Sequence, residues 1–305
     1  MSAPVHVIVN AGSGSVLGDE TAQSLRERFI AFGIKVEVHL AKSGKEIVQL
    51  AREAAEAEAD LIVAGGGDGT ISTVAIEASA AGKTLGILPL GTLNNFSKDL
   101  GIPQNINAAV RVISEGEVHQ IDLAEVNGRV FINNSSIGLY PKMVVRREQQ
   151  QHKLGRGKWS AAFWASLRLF RISPFLKVDI EIDGKTFERK TPFVFVGNNE
   201  YEMDMYNIGR RPSLEEGKLS LYFLHRQGRA GLIMLLWKTL IGGLKQWKDF
   251  EAVSTDHVTI RAKRRRLRVA FDGETDLMRP PLEYRIRPKA LKVIVPKRNA
   301  DAPSA

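Results

Sequence analysis

Residues 61–74 read LIVAGGGDGTISTV. The apolar run Leu61 to Ala64 is long enough for a buried parallel strand; it stops at Gly65-Gly66-Gly67-Asp68-Gly69-Thr70 and an apolar segment of helical length follows. The pattern predicts a strand, a glycine turn and a helix start. Without Cβ atoms the glycines let backbone N–H groups approach a bulky anion, and the helix N-terminus adds partial positive charge. Phosphate is the guest that suits such a turn. Asp68 stands inside it, where a carboxylate repels phosphate unless it holds Mg²⁺ or accepts hydrogen bonds from a neighbouring loop. A nucleotide with magnesium is the functional reading; a tight βα turn of any α/β protein is the plain one.

Two other segments share this grammar. Val5–Val9 runs into Asn10-Ala11-Gly12-Ser13-Gly14-Ser15, a turn of glycines and hydroxyls able to wrap further phosphates. Leu85–Leu88 is closed by Pro89 and followed by Leu90-Gly91-Thr92-Leu93-Asn94-Asn95-Phe96. Ligands of open parallel sheets bind outside the carboxyl ends of the strands, so the three turns are expected at one crevice. A glycine loop ending in Gly-Lys-Ser/Thr is absent and the GxGxxG spacing is not met, which excludes a P-loop NTPase and an ordinary dinucleotide fold.

At 305 residues the chain suits two domains, and 44% apolar residues suffice for a full core. It has no cysteine, so disulfides and thiolate metal sites are excluded. The opening MSAPVHVIVN has no basic region ahead of an apolar stretch, so no signal peptide and a cytoplasmic location are expected. The span Gly231–Leu244 is interrupted by Lys238 and falls short of the roughly 20 residues a membrane crossing needs, so a packed helix is expected. Net charge is +9, and between Lys142 and Arg171 eight basic residues face one acidic residue, Glu148, a local +7. Trp159, Phe163, Trp164, Leu167 and Phe170 interleave with them, as in a helix lying on an anionic leaflet; the plain reading packs the aromatics inward and solvates the arginines. No nucleic-acid-binding module is visible around Lys263-Arg264-Arg265-Arg266, and nucleic acid is not expected as a partner. Of the six histidines no two have metal-ligand spacing, so structural or exposed roles are expected for them.

Along the chain, strands and helices alternate first: a helix near Glu20–Phe32, a strand Val36–Leu40, and a helix through about Ala57 behind the capping box Ser43-x-x-Glu46; then the glycine turn, a helix to about Ala81, the strand Leu85–Leu88 and a helix near Ile106–Ser114. Near Ile121 the grammar changes. Asn127-Gly128 and Asp183-Gly184 are two-residue hairpin signals, and Phe193–Val196, Leu219–Leu224, Val258–Arg261, Leu267–Phe271 and Glu283–Arg287 read as strands. The expectation is an α/β domain with a parallel sheet over residues 1–122, then a mainly antiparallel β domain over 123–287. Asp272-Gly273-Glu274 follows a strand in the same hairpin form, with its carboxylates expected on one face.

The Asn-Ala-Gly-Ser-Gly start, the Gly-Gly-Asp-Gly-Thr turn, Leu88 to Phe96 and Phe271-Asp272-Gly273-Glu274 together resemble the diacylglycerol kinase catalytic-domain family, which includes sphingosine and ceramide kinases and soluble bacterial lipid kinases. The resemblance implies transfer of the γ-phosphate of MgATP to a lipid hydroxyl, a nucleotide cleft between the two domains, and a last strand, about 288–297, that returns to the first domain. It implies that Asn10, Ala11, Gly12, Ser13, Gly14, Ala41, Gly66, Gly67, Asp68, Gly69, Thr70, Ile71, Ser72 and Thr92 hold ATP, with Asp68 beside its Mg²⁺. Glu274 is then the proton acceptor and Asp272 its neighbour. The substrate is a lipid met peripherally at the inner membrane face, and a homodimer stays open.

Four departures from the family pattern stand out. Ala41 replaces a threonine, Asn95 an aspartate, and Pro212 to Lys218 stands where bacterial relatives bind a structural Mg²⁺, leaving Ser213, Glu216 and Lys218 as its ligands. Gly138-Leu139-Tyr140 also replaces a Gly-apolar-Asp segment near the acceptor pocket. The alternatives are an NAD kinase-like enzyme, which shares the glycine turn, and a membrane-surface lipid-binding protein with a degenerate kinase site.

Overall fold

The computed structural model describes residues 3–12, 21–138, 175–202, 209–224 and 250–297. Ser13 and Gly14 of the first turn, Leu139 and Tyr140, the basic stretch Lys142–Arg171 and the apolar span Gly231–Leu244 lie outside them. The first part alternates β1 (Val5–Asn10), α1 (Ala22–Ala31), β2 (Val36–Ala41), α2 (Gly44–Glu56), β3 (Leu61–Gly66), α3 (Asp68–Ala80), β4 (Thr84–Pro89), α4 (Asn95–Asp99) and α5 (Ile106–Glu115). Its strands pair in parallel in the order β2-β1-β3-β4. The inner strands carry near-continuous apolar runs because helices cover them, while the edge strand β2 (VEVHLA) alternates, and Val7, Ile8, Val9, Ile62, Val63, Leu85 and Leu88 share one core with Leu25 and Phe29 of α1. Helix starts follow their caps: Ser43 accepts the Glu46 N–H ahead of α2, and Asn105 accepts the Ala108 N–H ahead of α5.

From residue 117 the elements among the described residues are strands: β5 (Glu117–Val126), β6 (Arg129–Phe131), β7 (Asn134–Gly138), β8 (Leu176–Ile182), β9 (Lys185–Thr191), β10 (Phe193–Asn198), β11 (Leu219–Leu224), β12 (Phe250–Thr255), β13 (His257–Ala262), β14 (Leu267–Phe271), β15 (Glu274–Met278) and β16 (Leu282–Val295). An antiparallel sheet runs β12-β11-β10-β7-β14-β15. The other sheet continues past β4 through β16, β13, β8 and β9, with β5 and β6 paired on its side. A second core, including Phe131, Val196, Leu221, Phe223, Val269 and Tyr284, belongs to this β region. Asn127-Gly128, Asp183-Gly184 and Asp272-Gly273 all take positive φ at both residues, as two-residue hairpins require.

Strand β16 ties the halves together. The sequence reads as two strands there, Glu283–Arg287 and a final one, because Pro288 and Lys289 interrupt the pattern. The structure keeps one strand of 14 residues, antiparallel to β13 in its first part and parallel to β4 in its last. The interruption is a register shift between Arg287 and Leu291, with Lys289 at φ 52° and its N–H donating to Asp122.

Candidate active site

The glycine turn sits between β3 and α3, and its glycines divide into two groups. A Cβ at Gly66 would lie 2.7 Å from the Thr70 side chain, and one at Gly91 would lie 2.3 Å from the Gly67 Cα. These two are needed because the turn packs on its own helix and on the loop after β4. Among the described residues a Cβ on Gly67 meets the Gly91 Cα alone, at 3.5 Å, and one on Gly69 meets nothing within 4 Å. Those faces are open to a ligand. No side chain caps α3 at Gly67, so its first N–H groups are left for an anion.

The other described residues of the predicted nucleotide set fall around this helix end. Asn10 donates through Nδ2 to Thr70 Oγ at 3.3 Å and accepts the Gly12 N–H at 2.9 Å, while the Ala11 N–H donates to the Ala41 carbonyl at 2.8 Å. Ala41 itself is fully buried, so its contribution to the turn is its backbone. Ile71 is core, and Thr70 and Ser72 are buried. Thr92 is exposed in the loop whose shape Asn94 holds: at φ 51°, Asn94 accepts the Gly91 N–H and donates to the carbonyls of Pro89 and Gly91 and to Gln104.

Asp68 does the second of the two things the sequence allowed it. Its carboxylate accepts the N–H groups of Asn95 (3.2 Å) and Phe96 (3.0 Å), the first turn of α4. From there a closed path of polar contacts returns to α3. At the other end of α4, Asp99 pairs with Arg211 Nε at 2.8 Å, both side chains being almost wholly buried. Burial pushes the Asp99 carboxyl up, and Arg211 pulls it back. Arg211 also donates to the Ile132 carbonyl (2.8 Å) and to Asn133 Oδ1 (2.7 Å) and faces the rings of Phe96 and Tyr201. The segment it holds, residues 132–134, donates its three N–H groups to Asp272 at 2.8, 2.9 and 3.2 Å. Ser72 Oγ on α3 completes the path, donating to Asp272 Oδ2 at 2.6 Å. Burial pushes the Asp272 carboxyl above the ordinary aspartate range, and these four hydrogen bonds oppose it. Helix α3 and the Asp-Gly-Glu hairpin are therefore held by one network.

Asp272 and Glu274 do not share a face. In a two-residue hairpin Glu274 pairs with Phe271, so its side chain follows Phe271 and leaves Asp272 in the turn. Glu274 is exposed, with Arg129 bound to its Oε2 at 2.9 Å and laid over the Phe271 ring at 4.2 Å. Arg211, Asp99 and Arg129 carry no local sequence signal. Each acts through a partner far along the chain.

The segment Pro212 to Lys218, expected to hold a structural Mg²⁺, offers the Ser213 hydroxyl, the Glu216 carboxylate and backbone carbonyls. Glu216 and Lys218 are exposed, the Lys218 carbonyl accepts the Asn199 N–H at 3.0 Å, and Ser213 Oγ accepts the Glu215 N–H at 3.2 Å. The carboxylate enclosed beside this loop is Asp122, which takes the N–H groups of Gly217 (2.6 Å) and Lys289 (2.9 Å). His6 and His39, 33 residues apart, face each other at 3.1 Å, a pairing that local sequence spacing does not show. Parallel pairing of β1 and β2 joins what local spacing keeps apart.

A parallel α/β half with a glycine turn, followed by an antiparallel β half whose hairpin carboxylate reaches back to the turn's helix, is the two-domain architecture of diacylglycerol kinase-like structures. Residues 4–126 match the diacylglycerol kinase catalytic domain, and residues 138–295 match the YegS C-terminal NAD kinase beta sandwich-like domain. The chain belongs to this diacylglycerol kinase family of YegS-like lipid kinases. It is 27% identical over 301 residues to a diacylglycerol kinase of Bacillus subtilis (strain 168), covering 97% of both chains. It is 24% identical to a diacylglycerol kinase of Staphylococcus saprophyticus, covering 76% of both. A crystal structure of a diacylglycerol kinase from Bacillus anthracis superposes with a TM-score of 0.69 at 26% identity, over 96% of this chain and 97% of that one. No helix among the described residues is long and apolar enough to cross a membrane.

Proposed function

We propose that the protein transfers the γ-phosphate of MgATP to the hydroxyl of diacylglycerol or a related lipid, met peripherally at the cytoplasmic face of a membrane. The observation that carries the reading is the Ser72–Asp272 hydrogen bond, because it joins the helix that would bind phosphate to the hairpin that would bind the acceptor. On this reading residues 1–122 with the end of β16 form the nucleotide side and residues 123–287 the lipid side. The N–H groups at the start of α3, the Asn10 turn and Thr92 hold the nucleotide phosphates. Mg²⁺ bound with ATP neutralises phosphate charge. Asp68 fixes the loop beside the phosphates through α4.

Glu274 is the base in this account. Arg129 engages one carboxylate oxygen, and the other takes the proton of the lipid hydroxyl as that oxygen bonds to the γ-phosphorus and ADP leaves. Asp272 shapes the hairpin that presents it. ATP labelled in the γ-phosphate, incubated with a total lipid extract and with NAD in separate reactions, tests the reading. Label in a chloroform-soluble product supports it; label in NADP, or in free phosphate alone, contradicts it. Gly67→Val is the matched negative, since φ −85° and ψ 179° suit valine while its side chain enters the open face of the turn.

A further inference from the structure

We propose that His6, Glu37 and His39 form a binding site for a divalent transition-metal ion of the zinc class, at the outer edge of the parallel sheet and apart from the nucleotide site. β2 is the terminal strand of its sheet, and parallel pairing sets His6 against Glu37 and Ile8 against His39. Residues 37 and 39 project from the same face because strand side chains alternate, and His6 joins them through its pairing. His6 Nδ1 and His39 Nε2 are 3.1 Å apart, Glu37 Oε1 is 3.9 Å from His39 Nε2, and the three ligand atoms lie within 4.8 Å of one another. Two nitrogens bound to a tetrahedral ion at about 2.05 Å each are about 3.3 Å apart, so the pair is already close to ligand separation.

The ring planes are 10° apart with centroids at 5.4 Å, so the imidazoles meet edge to edge, and rotation of each ring by roughly 40° aims both lone pairs at one ion. In the metal-free pair one nitrogen must carry a proton; on binding, that ring moves the proton to its other nitrogen, and no net proton is lost. Lys83 stands nearby but donates its ammonium to the carbonyls of Ala54, Ala57 and Ala59 at the end of α2, so Glu37 is left to the ion. Two imidazoles and one carboxylate suit zinc, cobalt or nickel and disfavour magnesium, and with three protein ligands a fourth position stays open to water. Glu37 is 56% exposed and His39 24%, so an ion can enter from solvent.

The test uses untagged full-length protein. Co²⁺ should bind with a stoichiometry of one and give the d–d absorption of a four-coordinate site, and Zn²⁺ should displace it while Mg²⁺ does not. Zn²⁺ at about 100 times its Kd should raise Tm by about 5 °C. His39→Ala should weaken Zn²⁺ binding more than about 100-fold and Glu37→Gln about 10-fold or more, while His119→Ala, at a histidine held by Glu117 and Glu215, should leave it unchanged. Equal metal uptake by the wild type and His39→Ala, or loss of the Co²⁺ spectrum in His119→Ala alone, would overturn the proposal and leave a plain histidine–histidine hydrogen bond.

Discussion

Asp183-Gly184 and Asp272-Gly273 close hairpins with almost the same backbone, φ 50° and 73° in the first, 46° and 90° in the second. Their aspartates have different fates. Asp183 is exposed at the tip of β8 and β9, where its work is local: a short polar side chain that tolerates the left-handed conformation. The Asp272 carboxylate is enclosed by three backbone N–H groups and the Ser72 hydroxyl. A turn residue is chosen by its turn, but its role is set by what the fold brings against it. Arg211 is part of what the fold brings, since it holds the backbone that caps Asp272.

Replacing Arg211 should have the largest effect. Arg211→Met leaves Asp99 buried without its partner and should cost about 3–5 kcal/mol in urea unfolding. The same change should couple to Asp272→Asn by about 1 kcal/mol in a double-mutant cycle and be additive with Asp183→Asn. Additivity at both turns would break the link between Arg211 and Asp272. Asp272→Asn alone keeps size but turns an amide toward N–H donors, and should cost about 2 kcal/mol. Asp183→Asn should stay within about 0.5 kcal/mol. Equal losses would mean that the enclosure of Asp272 carries no weight. Asp68→Ala removes the acceptor at the start of α4 and should cost about 1 kcal/mol, as loss of a helix cap does.

The smallest effect is on pH dependence. Burial raises the folded-state pKa of Asp272, so the folded protein holds this proton at pH values where the unfolded chain has released it. The contribution is full below the ordinary aspartate pKa of 3.8 and is lost as pH rises through the folded value. Stability of the wild type relative to Asp272→Asn should therefore fall across that window. A flat difference between the two curves would contradict the enclosure.

Much of this was legible in the chain. The parallel strands announce themselves as apolar runs ending in glycine, and the hairpins as Asn-Gly or Asp-Gly, because both signals are local. Strand β16 was half legible: Pro288 and Lys289 look like an end, and only pairing with β5 on both sides of the irregularity shows that the strand continues. The polar network was not legible. Arg211 reaches Asp99 across 112 residues and the Asn133 side chain across 78, and nothing in Arg210-Arg211-Pro212 tells a buried guanidinium from a solvated one. The same holds for His6 and His39, whose meeting follows from strand order alone.

The central claim is that the hairpin after β14 presents a base to a lipid hydroxyl. The direct measurement is kcat of Glu274→Gln at saturating lipid, alongside ATP affinity measured separately by binding. The account predicts a loss of about 10²–10⁴-fold in kcat, with ATP affinity within a factor of about two. A variant that keeps kcat within a factor of about three of the wild type would remove Glu274 as the base and leave positioning and charge to account for the chemistry.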